Sequence, residues 1–200
     1  MGRRATPEVN AGSMADIAFL LLIFFLVTTT IEKDKGIARQ LPPKQDEQPP
    51  VDIKEKNIFV VTVNKEDQIL ADNELMDIQD IRQAAISFLD NGGDGSCNYC
   101  KGEKDPTSSD NPEKAIITVK SDRETSYKTY IQVQNELVAA YNFLRNRESE
   151  RLFGFEFTKV KSAIATGDFK GNEERAQAKL KEIQALFPMK LSEAEAKKSQ

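Results

Sequence analysis

One carboxylate stands inside a long apolar stretch, where the chemistry open to it is the uptake and release of a proton. Asp16 is the only charged residue between Val9 and Ile31. A helix of that length spans roughly 35 Å, enough to cross a bilayer. An ionised carboxylate inside it costs on the order of 2.5–3.5 kcal/mol, so Asp16 must face protein or water, or stay protonated. We therefore interpret Asp16 as a proton carrier on a transmembrane helix over residues 10–31.

The second candidate chemistry belongs to Cys97 and Cys100, which form a Cys-Asn-Tyr-Cys motif. A thioredoxin-type motif belongs at a helix start after a strand, whereas this one lies in a Gly-, Ser- and Asp-rich loop over residues 91–112. Structural zinc takes four ligands, and the chain has neither a second such motif nor a histidine. A local disulfide in an oxidising compartment is the interpretation we favour. An exported thiol enzyme is the alternative.

Two other interpretations of the apolar stretch stay open. Arg3 and Arg4 precede the apolar residues 17–27 as in a signal peptide, although no small-x-small cleavage site follows. Asp16 could instead cap a shorter helix over residues 17–31 in the headgroup layer, which would require local thinning of the bilayer. A buried helix of a soluble core is disfavoured, because the stretch has no polar face to meet water.

Helical spacing gives the Asp16 side of the helix a distinct composition. Gly12 and Ser13 lie four and three residues before Asp16, so they share its face. Small residues let another helix approach closely, whereas Phe19 and Leu22 on the opposite side suit lipid. The residues assigned to this helix-packing face are Asn10, Gly12, Ser13 and Leu20. A single span cannot enclose a proton path, so the face predicts partner helices.

Flanking charge predicts the orientation. The tail over residues 1–9 carries Arg3 and Arg4, which favours a cytoplasmic N-terminus. Residues 32–200 are then exported. In a bacterium with two membranes, this places a single-pass protein in the inner membrane with its bulk in the periplasm.

Composition excludes several classes of function. The net charge is −4 and no basic stripe occurs, so nucleic acid is not an expected partner. The absence of histidine removes the usual metal ligand and the usual general base near neutral pH. We expect no enzyme activity, no metal and no cofactor.

The exported part reads as a small α+β domain of ββαβαβ type over residues 58–160, after a proline-bearing linker over 32–57. Patterns of apolar residues predict strands at 58–63, 68–71, 115–119 and 153–157, and helices at 77–90 and 126–146. A C-terminal extension over 161–200 is predicted to be partly helical around Ala176–Phe187, with a disordered tail from Glu193.

A family resemblance rests on the N-terminal motifs. Val9-Asn10, Asp16, the run from Leu20 to Thr28 and Leu41-Pro42-Pro43 together resemble the ExbD/TolR family. The likeness is most specific over residues 8–43 and extends more loosely to about residue 160. Residues 91–112 and 161–200 look like additions, and Ala11-Gly-Ser-Met14 replaces a Thr-Pro pair that many members have.

The resemblance implies an inner-membrane motor subunit driven by the proton-motive force. It implies an ExbB-like multi-span membrane partner, a TonB-like partner, and a homodimer of this chain inside a ring of the larger partner. Asp16 matches the family's transmembrane Asp, and Leu41, Pro42 and Pro43 match its post-span segment. The implied task is TonB-dependent transport across the outer membrane. The alternatives are a Tol-type or gliding-type motor subunit, or a plain single-pass anchor for a periplasmic binding domain.

Overall fold

The computed structural model describes residues 11–28 and 53–195. The chain forms two compact units, residues 1–49 and residues 50–200. In the first unit, helix α1 runs from Ala11 to Thr28. Within the described ranges, no helix combines the length and the apolar character needed to cross a membrane.

The second unit is a mixed α+β domain with one five-stranded sheet. A 3₁₀ turn at Glu55–Asn57 precedes it. Its elements are β1 Ile58–Val63, β2 Ile69–Ala71, β3 Glu74–Met76, α2 Ile78–Leu89, β4 Ile116–Ser121, α3 Tyr127–Phe153, α4 Phe157–Thr166, α5 Glu173–Leu186 and β5 Leu191–Glu195. The α+β class agrees with the prediction.

The sheet has the strand order β3-β2-β1-β4-β5. The β1–β2 and β2–β3 pairs are antiparallel, whereas β4 lies parallel to both β1 and β5. Asp72 and Asn73 connect β2 to β3 with φ angles of 51° and 69°. Asp and Asn tolerate this left-handed backbone, which two-residue hairpins use. This turn creates β3, a strand that the sequence analysis did not predict.

The main core lies where α2 and α3 pack on one face of the sheet. Alternate residues of β1 point into it because strand side chains alternate between faces. Its members include Phe59, Val61 and Val63 from β1, Ile117 and Val119 from β4, Ile81, Ala85 and Leu89 from α2, and Val133, Leu137, Tyr141 and Leu144 from α3. A smaller cluster of Phe157, Leu180 and Ile183 joins α4 to α5. The main core holds α2 and α3 against the sheet, and the small cluster holds α4 against α5.

The strand predicted at Phe153, Phe155 and Phe157 is wrong. Helix α3 continues to Phe153 and ends at Gly154, whose φ of 71° suits a glycine helix terminus. The rings of Phe153 and Phe155 stack with their centroids 5.8 Å apart, and Phe157 begins α4 as a fully buried residue. The alternation of phenylalanine with other residues over 153–157 therefore does not mark a strand. It arises because Phe153 ends α3, Phe155 lies in the short turn, and Phe157 begins α4.

The disordered tail predicted from Glu193 is wrong as far as Glu195. Residues Leu191–Glu195 form β5, which pairs with Ile117–Ser121 of β4. The sequence Leu-Ser-Glu-Ala-Glu has little intrinsic strand preference, so tertiary pairing overrides its composition. Residues 196–200 lie outside the described residues.

Candidate functional site

The first candidate site is Asp16 on α1. Gly12 lies one turn before it and Leu20 one turn after it, so the helix places all three on one face. Their role as a helix-packing face stays a prediction. Asp16 and Gly12 are exposed, and Ser13 lies within the helix. Asn10, Leu41, Pro42 and Pro43 lie outside the described residues, so their predicted roles stay predictions.

Around this carboxylate, α1 presents an almost wholly apolar surface. Its exposed large side chains are Met14, Ile17, Phe19, Leu20, Leu21, Leu22, Ile23, Phe24 and Phe25, each between 41% and 62% exposed. Leu20 on the Asp16 side and Phe19 on the other are 58% and 61% exposed, so exposure does not separate the two predicted faces. An apolar patch of this extent marks a surface that lipid or protein covers.

The second candidate site is the cysteine motif. A disulfide joins Cys97 to Cys100, with their Cα atoms 5.5 Å apart. Both residues are buried, and neither lies at a helix start. A reactive cysteine needs a partly exposed, electropositive setting, so this geometry favours a structural bridge over a thiol enzyme.

The loop that carries the disulfide is held by its own hydrogen bonds. The Asn91 side chain donates to the backbone oxygens of Asp105 and Ser109, each at 2.8 Å, and accepts from the Asp105 N–H at 2.9 Å. Gly92 lies against the bridge with a φ of 66°, and a Cβ there would be 3.0 Å from the Cys100 Cβ. The loop is therefore fixed at Asn91, at the bridge and at residues 109–110, while residues 94–96 and 103–107 are exposed, as its composition predicts.

Tyr99, between the two cysteines, contacts the C-terminal end of α5. Its hydroxyl donates to the Leu186 carbonyl at 2.9 Å, and its ring meets the edge of Phe187 at 5.5 Å between centroids. Arg145 donates to the Phe187 carbonyl through Nε at 3.0 Å and Nη2 at 2.6 Å. Burial raises the pKa of Tyr99 to about 12, with smaller contributions from nearby carboxylates. The last carbonyls of α5, which a helix leaves unpaired, thus have side-chain partners.

A buried ionic network connects the end of α2 to α3. Arg147 binds the Asp90 carboxylate with both terminal nitrogens, at 2.5 and 2.8 Å. Glu148 is fully buried and accepts from Arg147 at 3.1 Å and from Arg151 at 2.6 Å. The sequence pattern did not predict this network. Its only signal was an unusual density of charge, Arg-Asn-Arg-Glu, at the end of a predicted amphipathic helix.

Asp110 anchors the far end of the loop to the start of β1. It is buried, pairs with Lys56, and accepts from the Asn57 side chain at 3.3 Å. Its backbone N–H donates to the Asn57 Oδ1 at 2.7 Å. The hydrogen bond from Lys56 is the main reason that the pKa of Asp110 falls to about 2. The group is therefore an ionised structural anchor at neutral pH.

Among residues 11–28 and 53–195, no three His, Cys, Asp or Glu side chains are arranged to hold a metal ion. A cleft of about 520 Å³ at the ends of β4 and β5 is lined in part by Arg123, Tyr130 and Glu193. Tyr130 hydrogen-bonds to Glu193 there.

Comparison with known families decides which protein class combines these features. Residues 3–145 match the family described as biopolymer transport protein ExbD/TolR. The chain belongs to the ExbD/TolR family. A search of curated proteins finds no match.

The ExbD/TolR match confirms the family resemblance that the N-terminal motifs predicted. It includes α1 with Asp16, strands β1 to β4, and α2. It also includes the disulfide-bonded loop, which the sequence analysis treated as an addition. The match ends inside α3 at Arg145, before α4, α5 and β5. The edge strand β5 is thus supplied from beyond the matched residues.

Proposed function

We propose that this ExbD/TolR protein is the proton-carrying subunit of an inner-membrane motor that energises TonB-dependent transport across the outer membrane. The observation that carries the proposal is Asp16 on a helix whose large apolar side chains are exposed on all sides. In the proposal, the membrane helix extends beyond Ala11–Thr28 to the sequence limits 10–31, about 33 Å at 1.5 Å per residue. Lipid and partner helices then cover the apolar surface.

The physics of the bilayer gives Asp16 a working role. Moving one charge through 100 mV releases about 2.3 kcal/mol. Protonation removes the cost of an ionised carboxylate in the membrane, so it changes which position of the helix is preferred. A cycle of proton uptake on one side and release on the other can therefore drive repeated movement of α1 relative to its partners.

Partners follow from the same argument. One helix cannot enclose a proton path, so the proposal requires an ExbB- or TolQ-like multi-span protein around α1 and, with a second copy of this chain, a homodimer inside it. A TonB- or TolA-like protein would receive the movement. The protein needs no catalytic residues of the enzymatic kind and no cofactor for this task.

The decisive experiment replaces the carboxylate in a complemented strain. Asp16→Asn should reduce energised uptake through the outer membrane to background, a loss of about a hundredfold, because an amide cannot carry a proton. Asp16→Glu keeps the carboxyl and should retain part of the activity. Both variants should still co-purify with the multi-span partner.

Near-parental uptake in Asp16→Asn would contradict the proton-carrier role. Failure of the variant to co-purify would instead make Asp16 an assembly residue. A second readout separates the branches of the proposal. A strain lacking the protein should lose uptake while its envelope stays intact. A leaky envelope with normal uptake would point to the Tol-type alternative.

A further inference from the structure

The C-terminal strand β5 is attached to the sheet mainly by backbone and polar contacts. The Ile117 N–H donates to the Lys190 carbonyl at 2.9 Å, and the hydroxyls of Thr118 and Ser192 lie 3.0 Å apart. Of the β5 side chains, Leu191 is half-buried while Ser192 and Glu193 are exposed. Glu193 adds hydrogen bonds from Tyr130 and from Gln134, the latter at 3.2 Å. Because apolar burial contributes so little, the position of β5 also depends on how firmly the chain is held just before it.

The chain just before β5 is anchored at Leu186 and Phe187. Phe187 is fully buried in the main core, and its carbonyl is bound by Arg145. The Leu186 carbonyl is bound by the Tyr99 hydroxyl, and the Tyr99 ring packs edge-on against Phe187. Only three residues, 188–190, separate Phe187 from Leu191, the first residue of β5, so the hold on Phe187 lies immediately before the strand.

Tyr99 is itself positioned by the disulfide. The bridge closes a ring of four residues, 97–100, within which the Cys100 N–H donates to the Cys97 Sγ at 3.1 Å. Besides the bridge, the segment is held by Ser96, bonded to Asp94, and by Gly102, bonded to the Asp90 carbonyl. Arg147 also donates to the Tyr99 carbonyl through Nη2, at the long distance of 3.4 Å. Without the bridge, residues 97–101 gain freedom, and that one long hydrogen bond is the remaining backbone contact of Tyr99.

We propose that the Cys97–Cys100 disulfide is a redox-sensitive lock on the C-terminal strand. Closed, it holds Tyr99 against Leu186 and Phe187 and keeps β5 on the edge of β4. Opened, it loosens residues 186–195 and leaves the β4 edge intermittently uncovered. The lock is separate from the proposed proton chemistry of Asp16.

The co-reactant that opens the lock is a dithiol reductant. One of its thiolates attacks a sulfur of the bridge, and its second thiol resolves the mixed disulfide. The S–S bond of the protein breaks, two S–H groups form at Cys97 and Cys100, and the reductant is oxidised to a disulfide. Two electrons and two protons therefore pass to the protein. Because both cysteines are buried, the attack waits for a local opening of the loop.

Hydrogen exchange on the full chain in detergent tests the proposal, with dithiothreitol as the dithiol and intact mass confirming the gain of two hydrogens. Reduction should speed exchange about tenfold in residues 186–195 and at the Ile117 amide, the size expected when one short constraint and one hydrogen bond are lost. Exchange in the central strand β1 should not change. Cys97→Ser with Cys100→Ser should reproduce the reduced state without reductant.

Two single variants sharpen the test. Tyr99→Phe keeps the bridge but removes the hydroxyl, so residues 186–195 should exchange faster while oxidised and respond less to reduction. Tyr127→Phe removes a hydroxyl from an exposed tyrosine and serves as the matched control. Unchanged exchange in residues 186–195 after complete reduction would overturn the lock. Equal acceleration in β1 would also overturn it, because the bridge would then be a general stabiliser.

Discussion

Carboxylates lie in opposite settings in the two compact units of this chain. In α1, Asp16 is surrounded by exposed apolar side chains, and no lysine or arginine occurs between residues 11 and 28. In the second unit, Glu148 is buried between Arg147 and Arg151, and Asp110 is buried against Lys56. A buried carboxylate with cationic partners is a structural element. A carboxylate in an apolar helix without a cation of its own is suited to proton exchange under the proposed function.

The comparison predicts that the same chemical change has different consequences in the two units. Carboxylate to amide at Asp16 should abolish activity, as described above, and leave the stability of the second unit unchanged. Carboxylate to amide at Glu148 should do the reverse. Glu148→Gln should lower the free energy of unfolding by about 3 kcal/mol, because it breaks a buried ionic network from one side.

Urea denaturation of the full chain measures the Glu148 effect. Glu150→Gln is the matched control, since Glu150 is exposed on the same helix and should change stability by less than about 0.5 kcal/mol. Equal, small effects at both positions would show that the network is dispensable. The contrast between the two units would then fail.

A smaller effect should appear where the disulfide meets Gly92. Gly92 and Gly95 have φ angles of 66° and 73°, so alanine is strained by about 1 kcal/mol at either site. A Cβ at Gly95 meets nothing within 4 Å, whereas one at Gly92 lies 3.0 Å from the Cys100 Cβ. Gly92→Ala should therefore cost roughly 1 kcal/mol more than Gly95→Ala, as overpacking does. Equal melting temperatures for the two variants would show that the disulfide can shift to make room for the Cβ at position 92 without loss of stability.

The smallest effect concerns pH and Asp110. Its pKa is about 2 in the folded protein, below the ordinary value of 3.8, chiefly because Lys56 donates to it. A lowered pKa contributes stability that is present above pH 3.8 and is lost as the pH falls towards 2. Denaturation measured at several pH values across that window gives the free energy of unfolding at each pH. This free energy should fall less steeply with decreasing pH in Asp110→Asn and in Lys56→Met than in the parent protein. A slope as steep as the parent's in both variants would assign the acid sensitivity elsewhere.

Much of the second unit followed from sequence pattern alone. The run Ile58–Val63 is β-branched and was predicted with its observed limits. Helix α2 was predicted within one residue at each end because Ile81, Ala85, Phe88 and Leu89 recur at helical spacing and are all buried. In both elements, the apolar residues that form the local pattern are also the residues that the fold buries, so the pattern is sufficient to predict the element.

The remainder depended on partners distant in the chain. Strand β5 exists because β4 offers an unpaired edge, and Tyr99 is ordered by contacts with Leu186 and Phe187, which lie far along the sequence. Neither the β4–β5 pairing nor the contacts of Tyr99 can be recognised from a pattern of neighbouring residues in the sequence. At the Asp16 site, the sequence predicts a helix, and α1 runs from Ala11 to Thr28, whereas the packing face with Gly12 and Leu20 stays a prediction. Which neighbours cover Asp16 stays a prediction, because the proposed partner helices belong to other chains.

The position of β5 in the sequence also determines the order in which the sheet can form during translation. β4 ends at Ser121, but the strand that covers its second side begins only at Leu191. As the chain leaves the ribosome, β4 can pair with β1 long before its other edge has a mate. Such a late, long-range closure is slow compared with local contacts, and the open edge can meanwhile pair with another nascent chain. A truncation between Phe187 and Leu191 would make that transient edge permanent, so such a shortened form of this protein should tend to aggregate even with an intact main core.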